Sequence, residues 1–196
     1  MNVDKTDIFT NYLVAEFDEM NAIYKKYREK TVDDDIVSEI VRYAVYRFMQ
    51  GRETAYLMIG EAVNTDPDIE AIYDAVYQVV GDKTISDRLT SLVGVEYASA
   101  EGDIDDIIRS DGHRCFVLGQ EYGAMEIERQ GESLTKKWNA ILDGKERETH
   151  RRLHGTKILL DEYFETENGR ATAPGLFGVP EEDCNCRCLL TIERSD

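Results

Sequence analysis

Apolar residues recur at three- and four-residue steps through the first two-thirds of the chain, which is the period of an amphipathic helix. The clearest stripe begins at Ile36, continues past Gly51 and reaches Val63. The acidic run Asp33–Asp35 precedes it, and acids suit the positive end of a helix dipole. The same spacing predicts further helices at residues 8–29, 69–80, 84–93 and about 103–129.

Asp66 and Pro67 come just before the helix predicted at 69–80, and they predict its N-cap and its first helical position. Gly81 predicts the end of that helix. The region up to residue 131 is therefore expected to be helical, and it contains no convincing strand.

The pattern changes after residue 131. LTKKWNAIL alternates as a strand does, with Leu134, Trp138 and Ala140 as the inward positions. KERETHRRLHG predicts a short helix that Gly155 closes. TKILLDEYF predicts a strand, ENGRATAPGLFGVPEED a loop and CRCLLTIER a β-rich finish. The expected fold is α+β, with an acidic helical region at 1–131 and a small domain at 132–196 made of a short antiparallel sheet and one helix.

Charge narrows the classes of partner. The formal net charge is −17, and such an acidic body repels a polyanion. Residues 136–157 instead carry more basic than acidic side chains. A phosphate contact is therefore expected only there, through Lys136, Lys137, Arg151 and Arg152. The simpler interpretation of this segment is a solvated charged helix face.

The chain shows no apolar run of about 18 residues, so a membrane span is not expected. Its first residues, MNVDKTDIF, lack the apolar segment of a signal peptide. A reducing compartment is the resulting expectation, and there the four cysteines would be free or metal-bound rather than paired in disulfides.

Three of the cysteines, Cys184, Cys186 and Cys188, occupy alternate positions near the C-terminus. Alternate residues of a strand share a face, and His150 and His154 share a face of the preceding helix. Two histidines and two thiols would complete a tetrahedral zinc site. Two alternatives remain open: a metal-free motif with His150 hydrogen-bonded and Cys188 packed, and a redox pair, although residues two apart on a strand are poorly placed for a disulfide.

Arg147 and Arg187 can fork onto carboxylates. Asp143, and either Asp161 or Glu162, are the expected partners in a structural Arg–carboxylate lock.

Other candidate chemistry is weak. Trp138 is expected in the core rather than as a base-stacking platform. Cys115 and His113 lie two apart on the long helix, do not face each other, and are interpreted as ordinary helix residues. The sequence has no nucleophile elbow, no H-E-x-x-H motif and no phosphate-binding loop, which disfavours an enzyme.

Several of these residues also follow one another in a recognisable order. They are Trp138, Asp143, Arg147, His150, Gly155, Phe164, Pro174, Asn185, Cys186, Arg187 and Cys188. This arrangement resembles the phage Mu F-like domain of phage minor head, or head-morphogenesis, proteins. The preceding stretch IIRSDGHRCFVLGQEYGAMEIERQG is similar to the helix that comes before that domain, so the resemblance covers about residues 103–192.

The resemblance implies a non-enzymatic virion component of a tailed phage or prophage. Such a protein is made in the host cytoplasm, associates with the portal and other capsid components, and ends in the capsid interior or portal region. It implies a role in capsid assembly or DNA ejection, with no membrane partner. One alternative is an ejection factor that binds packaged DNA through the basic 136–157 segment. The other is a metal-dependent enzyme or toxin.

Overall fold

The first part of the described structure is helical. The computed structural model describes residue 18 and residues 21–63 and 65–195. Residues 21–27 are helical, and most of the helix expected at 8–29 lies outside the described residues. Helix α1 spans Asp34–Ile59 and starts where Asp33 accepts a hydrogen bond of 3.0 Å from the N–H of Ile36. It ends at Gly60, whose φ of 82° closes the last turn before the predicted limit.

Three further helices follow in the order that the apolar pattern predicts. They are α2 at Ile69–Val76, α3 at Ile85–Thr90 and α4 at Tyr97–Arg129. The predicted N-cap of α2 was wrong, because Asp68, rather than Asp66, accepts the hydrogen bond from the N–H of Glu70. In the part of the chain that the structure describes, no helix has the length and apolar character needed to cross a bilayer.

Glycines let α1 and α4 approach until their backbones nearly touch. A Cβ on Gly119 would lie 2.0 Å from the carbonyl oxygen of Phe48, and one on Gly51 would lie 1.9 Å from that of Phe116. Real Cβ atoms do not approach a carbonyl oxygen so closely, so only glycine fits at either crossing point.

The C-terminal region contains a three-stranded and a two-stranded antiparallel sheet, one helix and a further single helical turn. Strand β1, Leu134–Asn139, lies between two antiparallel strands, β2 at Lys157–Leu159 and β5 at Leu189–Arg194. The other elements are α5 at Glu148–Leu153, β3 at Phe164–Thr166, β4 at Gly169–Ala171 and the single turn α6 at Pro180–Asp183. The α+β class is confirmed, although the strand expected in TKILLDEYF divides into β2 and β3, which lie in different sheets.

The hydrophobic core crosses the boundary predicted at residue 131. Tyr56 of α1 and Ile127 of α4 are buried in one cluster with Trp138 of β1 and Leu190 of β5. A second cluster fills the other end of the helical region. Residue 131 therefore marks a change of secondary structure, and residues from both sides of it pack together in the first of these clusters.

Candidate functional site

The cysteine run near the C-terminus is a turn followed by extended chain, not the strand that the alternation predicted. Helix α6 ends immediately before Cys184, Asn185 has a left-handed φ of 54°, and β5 does not begin until Leu189. This turn leaves Cys184 exposed, whereas Cys186 and Cys188 are buried. The expectation of three thiols on one strand face was therefore wrong.

Cys186 and Cys188 meet His150, which α5 holds in the core. The Nδ1 atom of His150 lies 3.4 Å from Sγ of Cys188 and 3.8 Å from Sγ of Cys186. The three possible ligand atoms lie within 4.8 Å of one another, and all three residues are buried. The structure thus brings together three of the five residues of the predicted metal site.

The other two predicted ligands stand outside this cluster. His154 follows the end of α5, and its Nδ1 accepts a hydrogen bond of 3.1 Å from the N–H of Ala140. Cys184 is exposed, and its carbonyl oxygen accepts a hydrogen bond from the Arg147 guanidinium. Both residues stabilise the surrounding turns rather than facing the His150 ring.

Glu182 contacts His150 at the ring nitrogen that faces away from the thiols, and this residue was not among the predicted site residues. Its Oε2 lies 3.0 Å from Nε2 of His150, and its carboxylate also accepts hydrogen bonds of 2.8 Å from Thr149 and Asn168. Burial raises the pKa of Glu182, but hydrogen bonds from Asn168, Thr149 and Thr166 outweigh it and keep that pKa below its ordinary value. A charged carboxylate here favours a proton on Nε2, which leaves the lone pair of Nδ1 facing the sulfur atoms.

The two buried thiols differ in acidity. A hydrogen bond with Cys188, together with burial, raises the pKa of Cys186 to about 11. The same hydrogen bond lowers the pKa of Cys188 despite its burial, with help from the Trp138 indole and nearby arginines. His113 lies on α4, as expected, and its side chain also interacts with that of Cys186.

Aromatic rings enclose this cluster. Trp138 is fully buried, with ring centroids 5.2 Å from His150 and 5.0 Å from Phe164. Gly155, with φ of 83°, turns the chain after α5 so that its N–H donates to the Trp138 carbonyl over 2.8 Å. The core role predicted for Trp138 is confirmed.

The Arg–carboxylate lock is confirmed for one of the two arginines. Arg187 forks onto Asp143 with two hydrogen bonds of 2.8 Å. This pair holds the pKa of Asp143 well below its usual range. Arg147 instead donates to a carbonyl oxygen, so the carboxylate partner expected for it was wrong.

One of the four cations considered for a phosphate-binding surface, Lys136, does not lie at the surface. Lys136 is fully buried and lies 3.0 Å from Glu121 of α4, so it cannot reach a phosphate in this fold. The other three cations also have acidic neighbours: Lys137 pairs with Glu193, Arg151 with Glu146 and Arg152 with Glu148. The side chains of Arg151 and Arg152 are exposed to solvent, which weakens their pairs.

The arrangement around His150 is chemically specific. Two thiols and an imidazole nitrogen facing one point form a donor set that suits zinc and other thiophilic metals. A carboxylate on the far nitrogen of the imidazole is the usual outer partner of a metal-bound histidine. The same atoms can also satisfy one another by hydrogen bonding.

The comparison with protein families identifies the chain. The sequence model of the family described as Phage Mu protein F like protein matches residues 70–191. The chain belongs to this family. The match begins before the resemblance noted from the motifs and takes in α2, α3 and α4 as well as the whole site around His150.

Two curated relatives share part of the chain. One is the minor head protein GP7 of Bacillus phage SPP1, 39% identical over 83 residues, which are 42% of this chain and 27% of that protein. The other is the NAD(+)–arginine ADP-ribosyltransferase EFV of Enterococcus faecalis, 38% identical over 90 residues, which are 46% of this chain and 18% of that protein. The chain thus spans less than a third of the length of either relative. No solved structure matches it.

Proposed function

We propose that this chain acts as a phage minor head protein, a non-enzymatic component needed for head morphogenesis. The observation that carries the proposal is the family match over residues 70–191. The similarity to a protein named as a minor head protein supports the same role.

The finer part of the proposal concerns partners and place. The chain would associate with the portal protein and other capsid components in the host cytoplasm, and would then be retained in the virion at the portal or capsid interior. Its formal net charge of −17 favours protein partners over direct contact with packaged DNA.

Co-expression with the portal protein from the same phage genome tests the partner. The expected result is a complex that survives size-exclusion chromatography at low and at moderate salt. The major capsid protein of that phage, co-expressed in the same way, separates portal binding from general capsid affinity. Separate elution of this chain and the portal at both salt concentrations would contradict portal association.

Deletion of the gene from the phage tests the role. Aberrant or missing heads in the deletion strain, restored by a plasmid copy of the gene, would support a role in assembly. Normal DNA-filled particles that attach to cells but do not deliver DNA would support a role in ejection. Deletion particles with normal yield and infectivity would refute the proposed function altogether.

The DNA-binding and enzymatic alternatives gain no support from particular residues. Lys136 is buried, and Lys137, Arg151 and Arg152 already face carboxylates. The part aligned with the ADP-ribosyltransferase is only 18% of that protein, so its activity is not carried over to this chain.

A further inference from the structure

We propose that His150, Cys186 and Cys188 bind a zinc ion, with Nδ1 of the imidazole and the two Sγ atoms as the protein ligands. This inference concerns a structural metal in the C-terminal region. It is independent of whether the protein binds the portal, contacts DNA or is packaged in the virion.

The distances between the donor atoms fit a tetrahedral ion. Zinc binds sulfur at about 2.3 Å and nitrogen at about 2.0–2.1 Å, so the edges of its ligand tetrahedron measure about 3.5–3.8 Å. Nδ1 of His150 lies 3.4 Å from one thiol and 3.8 Å from the other. The two sulfur atoms lie within 4.8 Å of each other, so an ion could be held after a modest adjustment of the thiol side chains.

A carboxylate lies beside the ring nitrogen of His150 that faces away from the thiols, as is usual for a histidine that binds a metal. Glu182 is fully buried with its Oε2 beside Nε2 of His150, and it is fixed there by Thr149 and Asn168. Its negative charge lies close enough to Nε2 to favour a proton there, which leaves Nδ1 as the ligand nitrogen. A buried carboxylate costs free energy unless it serves an interaction of this kind.

A small pocket beside the three ligands offers room for a fourth ligand. It has a volume of about 20 Å³ and is lined by the three ligands together with Arg147, Arg187 and their neighbours. One water molecule needs about 10–15 Å³ of such space. A water in this pocket would complete four-coordination.

The rival outcome is a metal-free cluster in which the thiols and the imidazole only share hydrogen bonds. Metal content separates the two. The full chain, produced without a polyhistidine tag and desalted after addition of one equivalent of zinc, is expected to retain about one zinc per chain. Replacement by Co²⁺ should give a thiolate-to-metal charge-transfer band and the visible bands of a tetrahedral ion.

Matched variants assign the ligands. Cys186→Ser and Cys188→Ser should each lose the retained zinc and most of the charge-transfer band. Cys184→Ser is the control, because this nearby thiol is exposed and stands outside the cluster; it should bind zinc as the wild type does. Glu182→Gln should still bind zinc, with an affinity about 10–100-fold lower.

Three results would overturn the proposal. The first is wild-type protein that retains almost no zinc after desalting, with Cys186 and Cys188 equally reactive towards a thiol reagent whether zinc was added or not. The second is a Cys184→Ser variant that loses zinc as the other two serine variants do. The third is a cobalt spectrum without thiolate bands, which decides the matter in wild-type protein even if the serine variants fail to fold.

Discussion

The α1–α4 helix pair and the C-terminal sheet region both bury an apolar core, but they specify their structures by different means. The helix pair depends on glycine, because Gly51 and Gly119 have no Cβ and so let the two backbones come into contact. The sheet region depends on particular side chains: Trp138, His150 and the two buried thiols occupy its centre. Backbone shape defines the first region, and chemistry at a few positions defines the second.

This difference indicates where each region tolerates change. Apolar residues in the helix stripes can be exchanged at moderate cost when the volume is kept, whereas the glycines cannot. In the sheet region the hydrogen-bonding groups around His150 have few substitutes. The two regions are then joined by buried polar contacts, including the pairing of Lys136 with Glu121 and the hydrogen bond of 3.1 Å from Gln120 to the Leu190 carbonyl.

Breaking the junction between the two regions should have the largest effect on stability. We expect Lys136→Met to lower the free energy of unfolding by about 3–5 kcal/mol, since it leaves the Glu121 carboxylate buried without its cation. Urea denaturation of the full chain measures this change.

Two further variants test the cause. Lys137→Met removes the next lysine of the same strand, whose partner Glu193 is partly exposed. This substitution should lower the free energy of unfolding by only about 0–1 kcal/mol. The double variant Lys136→Met/Glu121→Met should recover part of the loss, because no lone charge then remains buried. Equal effects of the two lysine substitutions would show that the buried pair does not join the regions.

Filling the helix crossing should have the next largest effect. We expect Gly119→Ala to destabilise the protein by about 2–3 kcal/mol, because the added Cβ meets the Phe48 carbonyl oxygen, a backbone atom that cannot rotate away. Gly102→Ala on the same helix is the control. A Cβ there meets nothing within 4 Å, so the higher helix propensity of alanine should stabilise the protein by about 0.8–1 kcal/mol. A similar loss in both variants would contradict close backbone packing as the cause.

The sequence predicted features that depend on neighbours along the chain. The acidic run Asp33–Asp35 lies at the start of α1, as its position before an apolar stripe indicated, and Leu134 and Trp138 point inward as strand alternation required. The pairing of Arg187 with Asp143 was also foreseen, although the two residues lie 44 positions apart in the sequence.

The features that sequence reasoning missed depend on contacts between distant segments. Alternation places Lys136 on the same face as Trp138, but its charge argued for exposure, and only the fold reveals Glu121 beside it. Glu182 stands in an acidic run, and nothing local distinguishes it from its neighbours. The turn at Asn185, which separates Cys184 from the other two thiols, likewise has no strong local signal.

The smallest effect should come from the surface lock of the sheet region. Arg187 holds the pKa of Asp143 below the ordinary aspartate value of about 3.9. A carboxyl group whose pKa is lowered by folding contributes stability above its unfolded pKa and loses it as pH falls through the folded value. We therefore expect Asp143→Asn to be slightly less stable than wild type at neutral pH, with a difference that shrinks as pH falls below about 4.

Urea denaturation of both proteins between neutral pH and pH 3 measures this difference. The effect should be small because both side chains are more than a third exposed, and solvent screens such pairs. Asp161→Asn, at an exposed aspartate of the same region, controls for loss of one negative charge. A difference between wild type and Asp143→Asn that grows towards acid would contradict the lock, since protonation should remove from the wild type the same charge that the substitution removes. If the Arg187–Asp143 pair adds only a small, acid-sensitive part of the free energy of unfolding, the structure of the sheet region depends mainly on its buried cluster rather than on this surface pair.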